Sequence, residues 1–211
     1  MITYFILFVT TGISIVAFNN RDLAGRLIFN AFAIQRYNEW YRFITHGVLH
    51  GDFMHLFFNM LSLYFFGPFV EETFKMDVVF GETGGTLMYL LLYIGALIVS
   101  SIYSFFKHRD HSWYNALGAS GAVSAVIFAA ILLNPLGTLY VYFIPMQSWI
   151  FGILYLGFSW YMGRRGGDNI GHDAHFWGAV YGFVLPVIFK YELFQGFVFQ
   201  LKMFFLYGGV Q

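Results

Sequence analysis

Six apolar stretches dominate the chain, at residues 2–18, 53–74, 85–106, 116–133, 146–163 and 173–189. A helix needs roughly 20 apolar residues to cross a bilayer, and each stretch comes near that length. Within lipid, a spanning segment must satisfy its own backbone N–H and C=O groups, which leaves helix as the form open to each. Only 10% of the residues are charged, against about 25% in a soluble domain. The expected fold class is all-α: a polytopic membrane protein with a six-transmembrane-helix bundle.

The connectors fit this division. Residues 19–52 are too polar to span but rich in Ile, Phe, Trp and Tyr, as in an interfacial loop with short helices. Asp52 is placed to cap the second span. Asn134-Pro135 ends the fourth, an uncharged loop leads to the fifth, and Arg164-Arg165-Gly166-Gly167-Asp168 is a flexible polar connector. From Tyr191 onward, Phe194, Phe197, Val198, Leu201 and Phe205 recur at helical spacing, predicting an amphipathic helix on the membrane surface. The expected organisation is a six-span domain at 1–190 and an amphipathic tail at 191–211. The apolar amino end lacks a basic leader region and a small-residue cleavage site, so it reads as a retained helix. Formal net charge is zero, and nothing suggests nucleic-acid binding. With no cysteine there is no disulfide framework, thiol nucleophile or cysteine metal site.

Parity then constrains the chemistry. Spans two, four and six cross in the same direction, so their amino ends share a face. Near those ends sit His55 and Asn59, Ser120, and His175. Polar groups at membrane depth are costly and mark either function or interhelical hydrogen bonding.

Ser120 lies in Gly118-Ala119-Ser120-Gly121. Small neighbours admit another backbone or a substrate, and a helix amino end supplies unpaired N–H groups and a positive dipole. Those are the needs of a nucleophile and an oxyanion pocket. The same motif also serves plain helix packing. His175 lies about one turn before Gly178, and Gly178 and Gly182 form a GxxxG face that lets a neighbouring helix approach. If that neighbour is span four, Ser120 and His175 come within reach as a Ser–His dyad. Otherwise His175 simply bonds across helices. His55 and Asn59 are four apart and share a helix face. They can donate to a developing oxyanion beside the backbone N–H of Ser120, or act as polar packing.

Other candidates are weaker. His46 and His50 resemble a zinc pair, but Gly47 stands where the accompanying glutamate belongs, and no metal site is expected. His108 and His111 read as solvated loop residues. None of Lys75, Lys107, Lys190 and Lys202 lies in an apolar span beside the serine. Asp173 reads as an N-cap, and Glu71 and Glu72 as headgroup-facing residues closing span two.

Taken together, these residues resemble the rhomboid intramembrane serine proteases over nearly the whole chain. Gly118-Ala119-Ser120-Gly121 matches the family's GxSG. His55-Leu56-Phe57-Phe58-Asn59 matches its HxxxN, and Ala174-His175 through Gly178 to Gly182 its AHxxGxxxG. Tyr41-Arg42 resembles its first-loop Trp-Arg pair. The resemblance implies six helices around a water-filled cavity, Ser120 as nucleophile and His175 as base. It also implies an oxyanion site of Asn59, His55 and the backbone at Ala119, a gate formed by span five and the connector after it, and no cofactor. Substrates would be single-span transmembrane proteins, cut within a lipid membrane; no oligomeric state is implied.

This sequence departs from the family pattern at Ser124, where many members carry an aromatic residue packed on the catalytic histidine. That leaves the support of His175 to Phe176, Trp177 or another helix. Basic residues also divide unevenly. Arg21, Arg26, Arg36, Arg42, Lys107, Arg109, Arg164 and Arg165 fall on the active-site face, and Lys75, Lys190 and Lys202 opposite. Counting positive residues places the active site in the cytoplasm. The resemblance places it outside the cell (inner) membrane, facing periplasm or exterior. The outward orientation is preferred, because arginines held in a structured loop are poor topology signals. Two further function classes stand beside the protease: an inactive rhomboid-like protein that binds transmembrane helices, and a small transporter, which would call for paired charges at mid-membrane.

Overall fold

The first helix of this chain turns its small and polar residues inward. In α1 (Ile2–Phe18) the buried side chains are Thr3, Thr10, Ser14 and Ala17, while Phe5 and Phe8 point out, Phe8 at 81% exposure. This inversion of the soluble pattern suits lipid, where apolar residues gain nothing by hiding and small ones let backbones approach.

The computed structural model describes residues 1–141, 143–167 and 170–208. After α1 come three short helices, α2 (Arg21–Leu27), α3 (Ala31–Tyr37) and α4 (Arg42–Thr45), and a 3-10 turn at His46–Val48. Then follow α5 (Phe53–Lys75), α6 (Gly81–His108) and α7 (Ser120–Leu133), a hairpin of β1 (Thr138–Val141) and β2 (Ile144–Gln147), and α8 (Ser148–Arg165), α9 (His172–Phe189) and α10 (Glu192–Tyr207). Asp52 caps α5 by accepting from the His55 N–H at 2.8 Å.

α7 is the axis of the bundle. Every residue from Gly121 to Leu132 is buried, within a core shared with α5, α6 and α9. α5 and α6 are each long and apolar enough to cross a membrane; α9 and α10 pass that test only as a pair, bent by 113° between them. α1 and α7 are apolar but shorter, at 17 and 14 residues.

Four differences from the sequence reading have physical causes. The chain is mostly helical but not all-α: the uncharged loop contains the hairpin, with Thr138 opposite Gln147 and Val141 opposite Ile144. The stretch expected as helix from 116 begins only at Ser120, because its first residues are claimed by the first loop. Ala116 and Phe29 exchange two backbone hydrogen bonds of 3.0 Å, and Gly118 N–H donates to the His46 carbonyl at 3.0 Å. Gly118 sits at φ +120°, a conformation suited to glycine.

Glu71 does not face headgroups. It is fully buried and accepts from the backbone N–H groups of Ile2 and Thr3 at 2.8 and 2.9 Å. A helix amino end has unpaired donors and a positive dipole, and this carboxylate answers both. Lys75 balances its charge at 3.2 Å. Asp173 is not the cap of α9, which is Gly171; it lies in the first turn and pairs with Lys107 at 3.5 Å. Part of the polar connector, including Asp168, lies outside the described residues.

The first loop has its own core of Phe29, Ala31, Ile34 and Phe43, packed on Phe105 and Tyr114. Arg42 staples it. Its Nε donates to Glu39 at 2.6 Å, and one terminal nitrogen donates to the carbonyls of Gly25 and Ile28 at 2.8 and 2.7 Å.

Candidate active site

α7 and α9 meet without side chains between them. A methyl placed on Gly178 would collide with the backbone of Gly121, and one on Gly182 with the backbone of Ala125. Gly121 follows Ser120, and a methyl on Gly121 would lie 3.5 Å from the carbonyl oxygen of Ala174, which precedes His175. The helix crossing thus brings the chain neighbours of Ser120 and His175 against each other. Both residues are half-buried at the amino ends of their helices.

Around Ser120 the backbone is prepared for negative charge. Ala119 is fully buried and precedes the first turn of α7, whose leading N–H groups have no intrahelical acceptor. The His55 ring lies beside this turn. A methyl on Gly118 would sit 2.9 Å from His55 Nε2 and 3.7 Å from Ser120 Oγ. Gly51 N–H donates to His55 Nδ1 at 3.5 Å, which leaves the ring proton on Nε2, the nitrogen near Gly118. Asn59 is buried one turn further along α5, and its amide donates to the His55 carbonyl at 2.9 Å. The second amide proton remains for another acceptor.

His46 and His50 engage different partners. His46 Nε2 is 3.1 Å from Ser101 Oγ. His50 Nδ1 is 2.9 Å from Ser14 Oγ. Ser14 gives its one proton to the Val48 carbonyl, so His50 donates to Ser14. Among the described residues no group of three or more His, Cys, Asp or Glu is arranged to hold a metal ion.

Residues 37–192 match the family profile described as Rhomboid domain. The chain belongs to the rhomboid family. Over 144 residues it is 35% identical to RHOMBOID-like protein 12, mitochondrial, of Arabidopsis thaliana, a match covering 64% of this chain and 42% of that protein. Over 154 residues it is 32% identical to Rhomboid protease GluP of Bacillus subtilis (strain 168), covering 69% of this chain and 25% of that one. The match thus spans less than half the length of either relative. The apolar helices and the family membership together identify a rhomboid-family membrane protein.

Two neighbours of His175 in this rhomboid chain escaped the sequence reading. His172 is buried, its ring 5.9 Å from that of His175. The i, i+3 spacing of the two histidines is the signal that could have found it. Tyr155 comes from α8, its ring 6.4 Å from His175 and tilted by 31°. Nothing marks it in the sequence among 15 tyrosines. Phe176 and Trp177, the supports considered from sequence, meet each other edge to face at 5.4 Å.

Proposed function

We propose that this protein is an intramembrane serine endopeptidase that cleaves single-span transmembrane substrates with a Ser120–His175 dyad. The packing of Gly121 against Ala174 carries the reading, since it sets the nucleophile and base on adjoining backbone. His175 takes the Ser120 proton as Oγ attacks the scissile carbonyl, then returns it to the leaving amine. The developing oxyanion is met by the N–H groups opening α7, His55 Nε2–H and the second Asn59 amide proton.

Six membrane crossings formed by α1, α5, α6, α7, α8 and α9 suit this role. α7 has 14 residues, about 21 Å of helix against a hydrocarbon core of about 30 Å. With its carboxyl end at one surface, Ser120 lies inside the membrane, where a transmembrane substrate presents its bond. The active-site face is assigned to the periplasm or exterior of the cell (inner) membrane. Arg42, one of the basic residues counted against this orientation, is 8% exposed and committed within the first loop.

The test is cleavage of a tagged single-span substrate by purified protein in liposomes. Wild type should cleave, and Ser120→Ala and His175→Ala should not, with unchanged melting. Cleavage surviving Ser120→Ala would reject the assignment. A wild type that binds but never cuts transmembrane helices would favour the inactive, helix-binding class.

A further inference from the structure

α8 meets the bundle along a stripe of small residues and half-buried rings. Its buried residues are Ser148, Gly152 and Ser159, all small, and its apolar contact with the core comes from the half-buried Phe151, Tyr155 and Leu156. Gly152 rests on Ile131 and Phe128 of α7, at 3.4 and 3.7 Å from the position a methyl would take. Between Gly152 and Ser159, on the same stripe, stands Tyr155.

Tyr155 touches both halves of the dyad region. Its hydroxyl is 2.5 Å from Ser124 Oγ. Ser124 Oγ also lies 2.7 Å from the carbonyl oxygen of Ser120 and donates to it. A serine hydroxyl has one proton, so the direction is fixed: Tyr155 O–H donates to Ser124, and Ser124 donates to the Ser120 carbonyl. The tyrosine ring packs beside the His175 imidazole and is itself backed by Phe128 at 5.6 Å and Phe151 at 5.5 Å. One side chain on α8 is therefore tied to the main chain of Ser120 and set against the ring of His175.

We infer that Tyr155 is the positioning residue for His175, and that docking of α8 through the Tyr155–Ser124 link aligns the base with Ser120. The inference rests on the dyad reading above. It assigns separate tasks to two parts of the side chain: the ring limits the rotation of His175, and the hydroxyl holds that ring and α8 against α7. When α8 moves away, the ring leaves with it and the imidazole loses a wall. Helix docking and alignment of the base then become one event.

The experiment measures kcat and KM on a single-span substrate in liposomes for wild type, Tyr155→Phe, Tyr155→Leu, Ser124→Ala and the Tyr155→Phe/Ser124→Ala double variant. Ser120→Ala serves as the blank, and melting is recorded for each. Tyr155→Leu should lower kcat about tenfold or more with KM within about twofold, the pattern of a lost alignment rather than lost substrate binding. Tyr155→Phe keeps the ring and should recover most of that loss. It should fall a few-fold short of wild type, match Ser124→Ala, and lose nothing further in the double variant, because both changes cut the same link. A Tyr155→Leu enzyme with wild-type kcat, or one changed only in KM, would overturn the inference while the blank remained silent. Should Tyr155→Leu fail to fold, the other three variants decide: additive losses would overturn the link. Cleavage by Ser120→Ala would instead overturn the dyad, and this inference with it.

Discussion

Gly178 of α9 lies directly on the backbone of Gly121 in α7, with no space for even one carbon atom between them. The obstruction is main chain rather than a side chain that could swing aside. Alanine at Gly178 should therefore force the helices apart and cost about 1–3 kcal/mol, as overpacking of a filled core does. It should also abolish cleavage, because Ser120 and His175 depend on this crossing. Gly196, with nothing within 4 Å of the added carbon, supplies the control: Gly196→Ala should melt no lower than wild type.

Glu71→Ala should be more damaging than a surface change at the end of a helix. It removes the acceptor for Ile2, Thr3 and the Thr3 hydroxyl and leaves Lys75 only its longer contacts to Glu72 and Glu82. Breaking a buried pair in this way costs about 3–5 kcal/mol. The check is the melting midpoint in detergent, with Glu72→Ala, an exposed neighbour, expected to change it little.

The first loop should loosen in acid. Burial lowers His46 from 6.5 to about 4. Burial, aided by the nearby His55, lowers His50 to about 3. Once the loop opens, both rings return to the ordinary value near 6.5 and bind protons that the closed loop refuses. Closure is therefore at full strength above pH 6.5 and weakens as pH falls, by up to about 1.4 kcal/mol per unit for each ring, levelling off below each closed-loop value. Protease susceptibility of residues 19–52 should rise between pH 6.5 and 4, and His50→Asn should lessen that rise, leaving the share due to His46.

Arg42→Lys should fail to replace arginine. The guanidinium reaches Glu39 and two carbonyls at once, which a single ammonium cannot reproduce. Protease susceptibility of residues 19–52 at neutral pH should increase in this variant.

Much of the helix plan was legible because apolar length and periodicity are local properties. The stretches at 2–18, 53–74 and 173–189 correspond closely to α1, α5 and α9. The pairing of α7 with α9 was readable as a possibility from Gly178 and Gly182, since bare backbone on one helix face invites another helix. The start of α7 was not, because a bridge to Phe29 and a bond to His46 hold residues 116–118 out of the helix. Glu71 was misread for a similar reason: its partners lie 68 and 69 residues away. Tyr155 shows the limit most clearly. Ser124 signals a missing aromatic wall beside His175, but which helix supplies the replacement depends on packing alone.

The most direct measurement of the dyad is chemical. Purified protein in detergent is treated with a fluorophosphonate and its adduct located by mass spectrometry. The account predicts one phosphonyl group on Ser120, lost in Ser120→Ala and strongly slowed in His175→Ala, with both variants melting as wild type. Labelling of another serine, or equal labelling of Ser120 with and without His175, would contradict it.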